Sequence, residues 1–390
     1  MKILLATDLY TPAVNGVVTS TVSLKKSLEK LGHEVRVLTL GEIDYVTADR
    51  SVYAVSSLNV NKIYPGARVS IFNDRPILRE IISWSPDLIH TQSEFSTYRM
   101  AKYITHFLNI PIIHTYHTIY EDYTHYFSPS KKTGKKIVAL ATKKILASAE
   151  EVIVPTEKVA RLLNSYDVEA PITTIPTGIE LDKFQNKPTH DELMALRKKY
   201  NIPEDAFLMV SLGRLGKEKN IEEIISFLSM IKLKPYLLIV GDGPNRYHLE
   251  EHTKYLGMND RVIFAGMVHP NEVSKYYHLG DLFVSASRSE TQGLTYLEAL
   301  ASGLPALCRK DECIENVIIN GKTGYQYTNF KEFEAYLYTL VKNKKAHQEM
   351  AKYATEFTVA HYSSTSFGQH VNMIYERALE SYHGPQLLQI

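Results

Sequence analysis

Short apolar, β-branched runs alternate with amphipathic stretches along most of the chain. In the first half, "KILLATDL", "HEVRVLTL", "DLIHTQ", "PIIHTYH", "EVIVPT" and "ITTIPTG" read as strands. In the second half, "FLMVSLGR", "YLLIVGDG", "RVIFAG", "LFVSAS" and "PALC" read the same way. Near-continuous apolar runs are the pattern of strands covered on both faces. The intervening segments are helical in pattern, so the chain predicts parallel sheets flanked by helices, a doubly wound α/β architecture.

The rhythm pauses at "IPTGIELDKFQNKPTHDE", residues 175–192, where turn and polar residues cluster before a second strand–helix series starts. Length agrees, because 390 residues exceed one ordinary core and two domains are expected. The first domain is placed at residues 1–180 and the second at 181–365. A helix in the last stretch, about 366–390, follows the second sheet, and the pattern alone gives it no destination. Two such sheets predict a ligand cleft at the carboxyl ends of their strands.

Apolar content of 44% and charged content of 22% are those of a globular protein, and a net charge of +1 argues against a general nucleic-acid binder. Cys308 and Cys313 cannot build a disulfide framework, and no His/Cys cluster has structural zinc spacing. The opening "MKILLATDLY" stops being apolar at Asp8, too soon for a signal-peptide core. No run approaches the length of a spanning helix, so membrane contact is expected to be peripheral.

Three stretches carry chemistry. "YTPAVNGVVTSTVSL" turns tightly at Asn15 and Gly16 and then starts a helix, which suits either a phosphate or sugar oxygen or an ordinary βα turn. "VSLGRLGKEKNIEEII" puts Arg214 and Lys219 beside a helix N-terminus, a receiver for a diphosphate or a solvated loop. "SASRSETQGLTYLEALASGLP" sets Glu290 at a turn, Gly293, Leu294 and Thr295 at a helix start, and Glu298 one turn further in. Two carboxylates around free helix amides suit a phosphorylated sugar or nucleotide. A dipole-favoured acidic helix start is the plainer account, but it explains Glu298 poorly, inside the apolar "LTYLEALA".

The Glu-x7-Glu of Glu290 and Glu298, with "GRLGKEKN", "IPTGIELDKF", "VGDGP" and "NGVVT", resembles the retaining glycosyltransferases of family 4. The resemblance implies a GT-B fold, with two Rossmann-like domains facing a central cleft and a C-terminal helix that returns to the first. It implies that Arg214 and Lys219 hold the donor diphosphate, Glu290 the donor sugar and Glu298 the ribose hydroxyls. Amides at Gly293, Leu294 and Thr295 would bind phosphate oxygens, Asn15 and Gly16 would lie beside the pyrophosphate, and the base would sit near Val268. The family's usual glycine pair in the first loop is Asn15-Gly16 here, which leaves the role of Asn15 open. No Asp-x-Asp occurs in the chain, so no metal or other cofactor is expected.

The acceptor side is carried by "HTYHTIYEDYTHY", which resembles bacterial diacylglycerol glucosyltransferases. The resemblance places His117 beside the donor sugar, as an orienting hydrogen-bonder rather than a base. Tyr120, Glu121, Tyr123 and Tyr126 could line an acceptor entrance or simply pack a helix. Between Lys131 and Ala149 there are six lysines and no acid. Helical spacing sets Lys132, Lys135, Lys136 and Lys143 on one face, with Ile137, Val138, Ala141 and Ile145 roughly opposite, facing the domain. Arg75, Arg79 and Trp84, with Arg68, Ile71 and Phe72, form a second candidate interfacial patch or an ordinary helix and loop. The expected reaction moves glucose from UDP-glucose to 1,2-diacylglycerol, peripherally at the cytoplasmic face of the plasma membrane, on an anionic lipid surface. A family 4 enzyme with a polysaccharide or protein acceptor, or a non-catalytic sugar-nucleotide-binding subunit, remains the alternative.

Overall fold

The computed structural model describes residues 1–13, 15–60, 67–71, 75–126 and 130–384. The chain divides into two compact units, Met1–Gly178 with Ser364–Ile390, and Ile179–Ser363.

The first unit is built on an eight-stranded sheet. In order across the sheet its strands are Ile172–Thr174, Glu151–Val154, Ile112–Thr115, Leu88–Thr91, Lys2–Ala6, Glu34–Gly41, Val52–Ser56 and Tyr45–Val46. All pair in parallel except the last, which runs antiparallel to Val52–Ser56. Lys2–Ala6 sits at the centre, and Ile3, Leu4, Leu5 and Ala6 are all buried, which explains why the run shows no alternation.

One face of this sheet packs against Leu78, Ile81, Trp84, Met100 and Ile104; the other packs against Leu24, Leu28, Phe367, Val371 and Tyr375. The helix Ser364–His383 therefore completes the first unit's core. Its side chains also reach polar partners there. Tyr375 Oη lies 2.6 Å from His90 Nδ1, and Arg377 pairs with Glu151. Ser27 Oγ, from the helix Gly16–Lys30, donates to Ser364 O at 2.8 Å.

The second unit holds six parallel strands in the order Val262–Gly266, Tyr236–Val240, Leu208–Leu212, Leu282–Ser285, Ala306–Arg309 and Gly324–Tyr327. The chain starts in the middle at Leu208–Leu212, builds outward in one direction, and then returns to start again at Leu282–Ser285. That reversal is the place where doubly wound sheets open a crevice.

Val52–Ser56 and Gly324–Tyr327 are strands that the apolar pattern does not announce. Val52–Ser56 is set among serines, and Gly324–Tyr327 is a half-buried edge strand that begins with glycine.

Candidate functional site

In the second unit, the loops after Leu208–Leu212 and Leu282–Ser285 leave adjacent strands at the reversal. The first carries Arg214 and Lys219, the second Glu290. Lys219 Nζ meets Glu290 Oε1 at 2.5 Å, and Arg214 pairs with Glu218 four residues on. The Arg214 loop is fixed by backbone bonds to the next loop: Gly213 N donates to Val240 O at 3.0 Å and Leu215 N to Asp242 O at 2.9 Å. Gly241 makes that approach possible, since its φ is +130° and a Cβ there would sit 2.0 Å from Gly213 O. The glycines of "VGDGP" thus serve loop-to-loop packing.

Gly293, at φ 78°, precedes the helix Leu294–Ala301, whose first amides have no acceptor within the helix. A Cβ at Gly293 would meet the Tyr296 ring at 2.5 Å. Leu294 and Thr295 open the helix, and one turn on Glu298 accepts the Tyr277 hydroxyl hydrogen bond at 2.8 Å. Burial pushes the Glu298 carboxyl up to about 7, against the opposing effects of the Tyr277 hydrogen bond and the charge of Lys183. Val268, after the strand Val262–Gly266, is half-buried against the apolar cluster of Leu208, Val210, Leu238 and Val240. Arg214, Lys219, Glu290, Gly293, Leu294, Thr295, Glu298 and Val268 thus share one edge of one sheet.

The corresponding edge of the first unit also gathers polar groups. His117 follows the strand Ile112–Thr115, and its Nε2 lies 2.8 Å from Gln92 Oε1. Burial, then the neighbouring His114, push His117 down to about 3. It is therefore neutral near pH 7, and Nε2–H donates to Gln92. Tyr120 donates to Glu94 Oε2 at 2.5 Å, and Glu94 Oε1 lies 3.3 Å from His114 Nε2. Asp8 Oδ1 accepts from Thr97 N at 2.8 Å and Thr97 Oγ1 at 2.9 Å, and burial raises its carboxyl to about 6. Sequence reasoning missed Asp8, Gln92, Glu94, Tyr277 and Glu218. Asp8 and Gln92 lie at the ends of the predicted strands "KILLATDL" and "DLIHTQ", and Glu94 follows two residues after the second, as His117 ends "PIIHTYH". The side chain of Asn15 accepts from Val18 N at 2.9 Å and caps the helix that Gly16 opens. Its oxygen thus has a structural duty.

Several expected surface residues require correction. Trp84 is a core residue: its indole N–H donates to Glu34 Oε1 at 2.8 Å and Arg36 stacks over its ring at 4.2 Å. Arg75 is an intramolecular cation, 3.1 Å from Asp44 and bonded to Ser56 Oγ at 2.7 Å. Arg79 is exposed. In the helix Lys131–Leu146 the buried stripe is Gly134, Val138, Thr142 and Leu146, an i, i+4 row. Small residues in that row let the helix lie close to the domain, so Ile137 and Ala141 do not face inward. Ile137 is 51% and Leu140 71% exposed, on the same outward side as Lys132, Lys136 and Lys144. Lys135 instead pairs with Glu121, and Lys143 lies 3.5 Å from Glu169. The acids missing from the lysine run are supplied from elsewhere in the fold. The side chains of Tyr123 and Tyr126, and Phe72, lie outside the described residues.

Among the described residues no group of three or more His, Cys, Asp or Glu is arranged to hold a metal ion, and no helix is long and apolar enough to cross a membrane.

Residues 14–183 match the model of "Glycosyltransferase Family 4", and residues 194–357 that of "Glycosyl transferases group 1". The chain is 36% identical to the alpha-monoglucosyldiacylglycerol synthase of Streptococcus pneumoniae over 98% of its own length and 87% of that protein's. It is 31% identical to the enzyme of the same name from Acholeplasma laidlawii, over 96% of each chain. Among solved structures, the Anabaena protein HepE in complex with UDP and glucose superposes with a TM-score of 0.77 at 16% identity, over 97% of this chain and 100% of that one.

Proposed function

The chain belongs to the family 4 glycosyltransferases of GT-B fold, and from that premise we propose that it transfers glucose from UDP-glucose to 1,2-diacylglycerol with retention, giving α-monoglucosyldiacylglycerol. The relatives that span nearly the whole chain at 31% and 36% identity carry that synthase name, which supports the lipid acceptor. The observation that carries the donor half is the Lys219–Glu290 pair at the strand-order reversal, on the same sheet edge as the open N-terminus of Leu294–Ala301. A cation and unpaired amides receive a diphosphate, while carboxylates accept sugar and ribose hydroxyls.

Breaking the bond between the sugar C1 and the phosphate oxygen builds negative charge on the diphosphate and positive charge on the sugar. Arg214, Lys219 and the helix N-terminus oppose the first by preorganised electrostatics. Glu290 orients the sugar, and Glu298 takes the ribose hydroxyls. The acceptor hydroxyl forms the new bond to C1 on the face the phosphate leaves, and its proton passes to the departing phosphate oxygen. His117, neutral and bonded to Gln92, orients the sugar and is too weak a base to take that proton.

Diacylglycerol stays in the bilayer, while a nucleotide-sugar is a charged solute. The enzyme accordingly works as a peripheral protein at the cytoplasmic face of the plasma membrane. The outward face of Lys131–Leu146 supports this, because Lys132, Lys136 and Lys144 flank exposed Ile137 and Leu140. The test is a panel of nucleotide-sugars offered with diacylglycerol in anionic vesicles, with the product's sugar and anomeric form determined. An α-glucosyl lipid from UDP-glucose is the expected product. No glycolipid from any donor, or a β-linked one, would overturn the reading.

A further inference from the structure

Behind the Lys219–Glu290 pair lies a polar cluster that the donor reading does not use. Its centre is Glu223, in the first turn of the helix Ile221–Met230. Both carboxylate oxygens of Glu223 accept from Arg309 Nη1, at 2.6 and 2.7 Å. Tyr327 Oη donates to Oε1 at 3.0 Å, and Asn220 Nδ2 to Oε2 at 3.1 Å. Arg288 Nη2 lies 3.7 Å from Oε2. The side chain of Glu223 is 16% exposed and that of Arg309 18%, so their contact is sheltered and charge-assisted, while Arg288, 58% exposed, makes a looser ion pair.

The four partners come from four segments of the second unit. Asn220 directly follows Lys219 and holds φ 51°, the turn between the short 3-10 segment Lys217–Lys219 and the helix. Arg288 stands two residues before Glu290, on the loop after Leu282–Ser285. Arg309 and Tyr327 end the strands Ala306–Arg309 and Gly324–Tyr327. One carboxylate thus reaches the turn that carries Lys219, the loop that carries Glu290, and the ends of two further strands. We infer that Glu223 is a positioning residue of the donor site, anchoring the Lys219 turn and the Glu290 loop to the sheet.

This inference rests on the donor reading of Lys219 and Glu290. A purely structural ion cluster would hold Arg309 and Tyr327 and leave donor kinetics alone, so stability and donor kinetics are read together. Two variants separate the roles. Glu223→Gln removes the charge at the centre. Asn220→Gly cuts only the tie to the Lys219 turn and tolerates φ 51°. Full-length protein is assayed with UDP-glucose and diacylglycerol in anionic vesicles, with UDP binding by calorimetry and melting temperature alongside.

Glu223→Gln is expected to raise the KM for the donor about tenfold, with the KM for the acceptor unchanged. Asn220→Gly is expected to raise donor KM several-fold with its melting temperature kept. Donor KM within twofold of the parent in both variants overturns the inference, whatever happens to the melting temperature. If Glu223→Gln does not fold, Asn220→Gly alone decides. If the parent protein binds no UDP and turns over no nucleotide-sugar, it is the proposed function that fails first, and this inference falls with it.

Discussion

Lys219 and Glu290 neutralise each other at the strand-order reversal of the second unit, Nζ to Oε1 at 2.5 Å. Seventy-one residues apart in sequence, they meet because each follows a central strand of the same parallel sheet. The pairing matters for binding, since a diphosphate that recruits Lys219 must compete with Glu290 for it. Glu290→Gln frees the cation while removing the carboxylate proposed to orient the sugar. UDP should then bind at least as tightly as to the parent, while kcat falls by about a hundredfold. Calorimetry with UDP, set beside turnover of UDP-glucose, checks both halves. Weakened UDP binding with kcat retained would mean that Glu290 serves the nucleotide instead.

Glu298 gives a pH signature. Burial holds its folded carboxyl near 7, above the ordinary 4.5. Between those values the folded protein keeps a proton that the unfolded chain has released, so stability falls as pH rises through that interval. Above it the penalty is complete. Glu298→Gln removes the titrating group, and its melting temperature should fall less than the parent's between pH 5 and pH 8. UDP affinity should behave in the opposite sense, because the ionised carboxylate is the better acceptor for ribose hydroxyls. Affinity is expected to rise from pH 6 to pH 8 in the parent and to be flat and weaker in Glu298→Gln. A parent affinity that does not change with pH would remove Glu298 from the ribose.

The strands were legible in the sequence because burial on both faces leaves an unbroken apolar run, as in "KILLATDL" and "YLLIVGDG". Val52–Ser56 and Gly324–Tyr327 were not, since a strand flanked by serines, or a half-buried one that opens on glycine, resembles the turns around it. Glu290 and Lys219 were legible as chemistry from their places after strands and before helices. Their contact was not, because nothing local fixes a distance between loops so far apart in the chain. Tyr277 was hidden for the same reason, as its bond to Glu298 joins two helices. For the lysine helix, spacing fixed which side chains share a face. It could not say which face the domain covers, and Gly134 and Thr142 decided that against Ile137. Trp84 shows the converse, since a basic neighbourhood suggested an interface while Arg36 and Glu34 had already claimed the indole.

His117 separates orientation from proton transfer. Its folded value near 3 lies below the ordinary 6.5, so the unfolded chain takes the proton first as pH falls. The contribution to stability is complete above 6.5 and is lost progressively towards pH 3. A neutral imidazole through the working range implies that His117 adds no inflection to the pH–rate profile between pH 5 and pH 8. His117→Gln retains a hydrogen-bonding group and should keep most of kcat. His117→Ala should lose about one to two orders of magnitude, the scale of a lost positioning contact. Loss of a profile limb in His117→Gln would instead identify the residue as an acid–base group.

The outward face of Lys131–Leu146 makes the membrane reading quantitative. Lys132, Lys136 and Lys144 are exposed there and pair with no acid among the described residues, while Lys135 and Lys143 are taken by Glu121 and Glu169. Each cation near an anionic headgroup layer contributes about 1 kcal/mol, screened by salt. Replacing all three by Gln should therefore weaken binding to anionic vesicles by about a hundredfold at low salt. Replacing Lys135 and Lys143 should do much less. Ile137 and Leu140 supply a second, salt-insensitive part, about 1.5–3 kcal/mol for each side chain fully buried in the interface. Ile137→Ser with Leu140→Ser should then reduce binding in high salt as well as low, which charge removal cannot do. Co-sedimentation across a salt series measures both parts. Transfer to a short-chain, water-dispersed diacylglycerol should stay intact in every variant, because on the proposed reading these side chains serve docking and not the reacting groups. Equal vesicle binding by all variants would move the docking surface elsewhere on the protein, with the lipid acceptor still to be judged by its product.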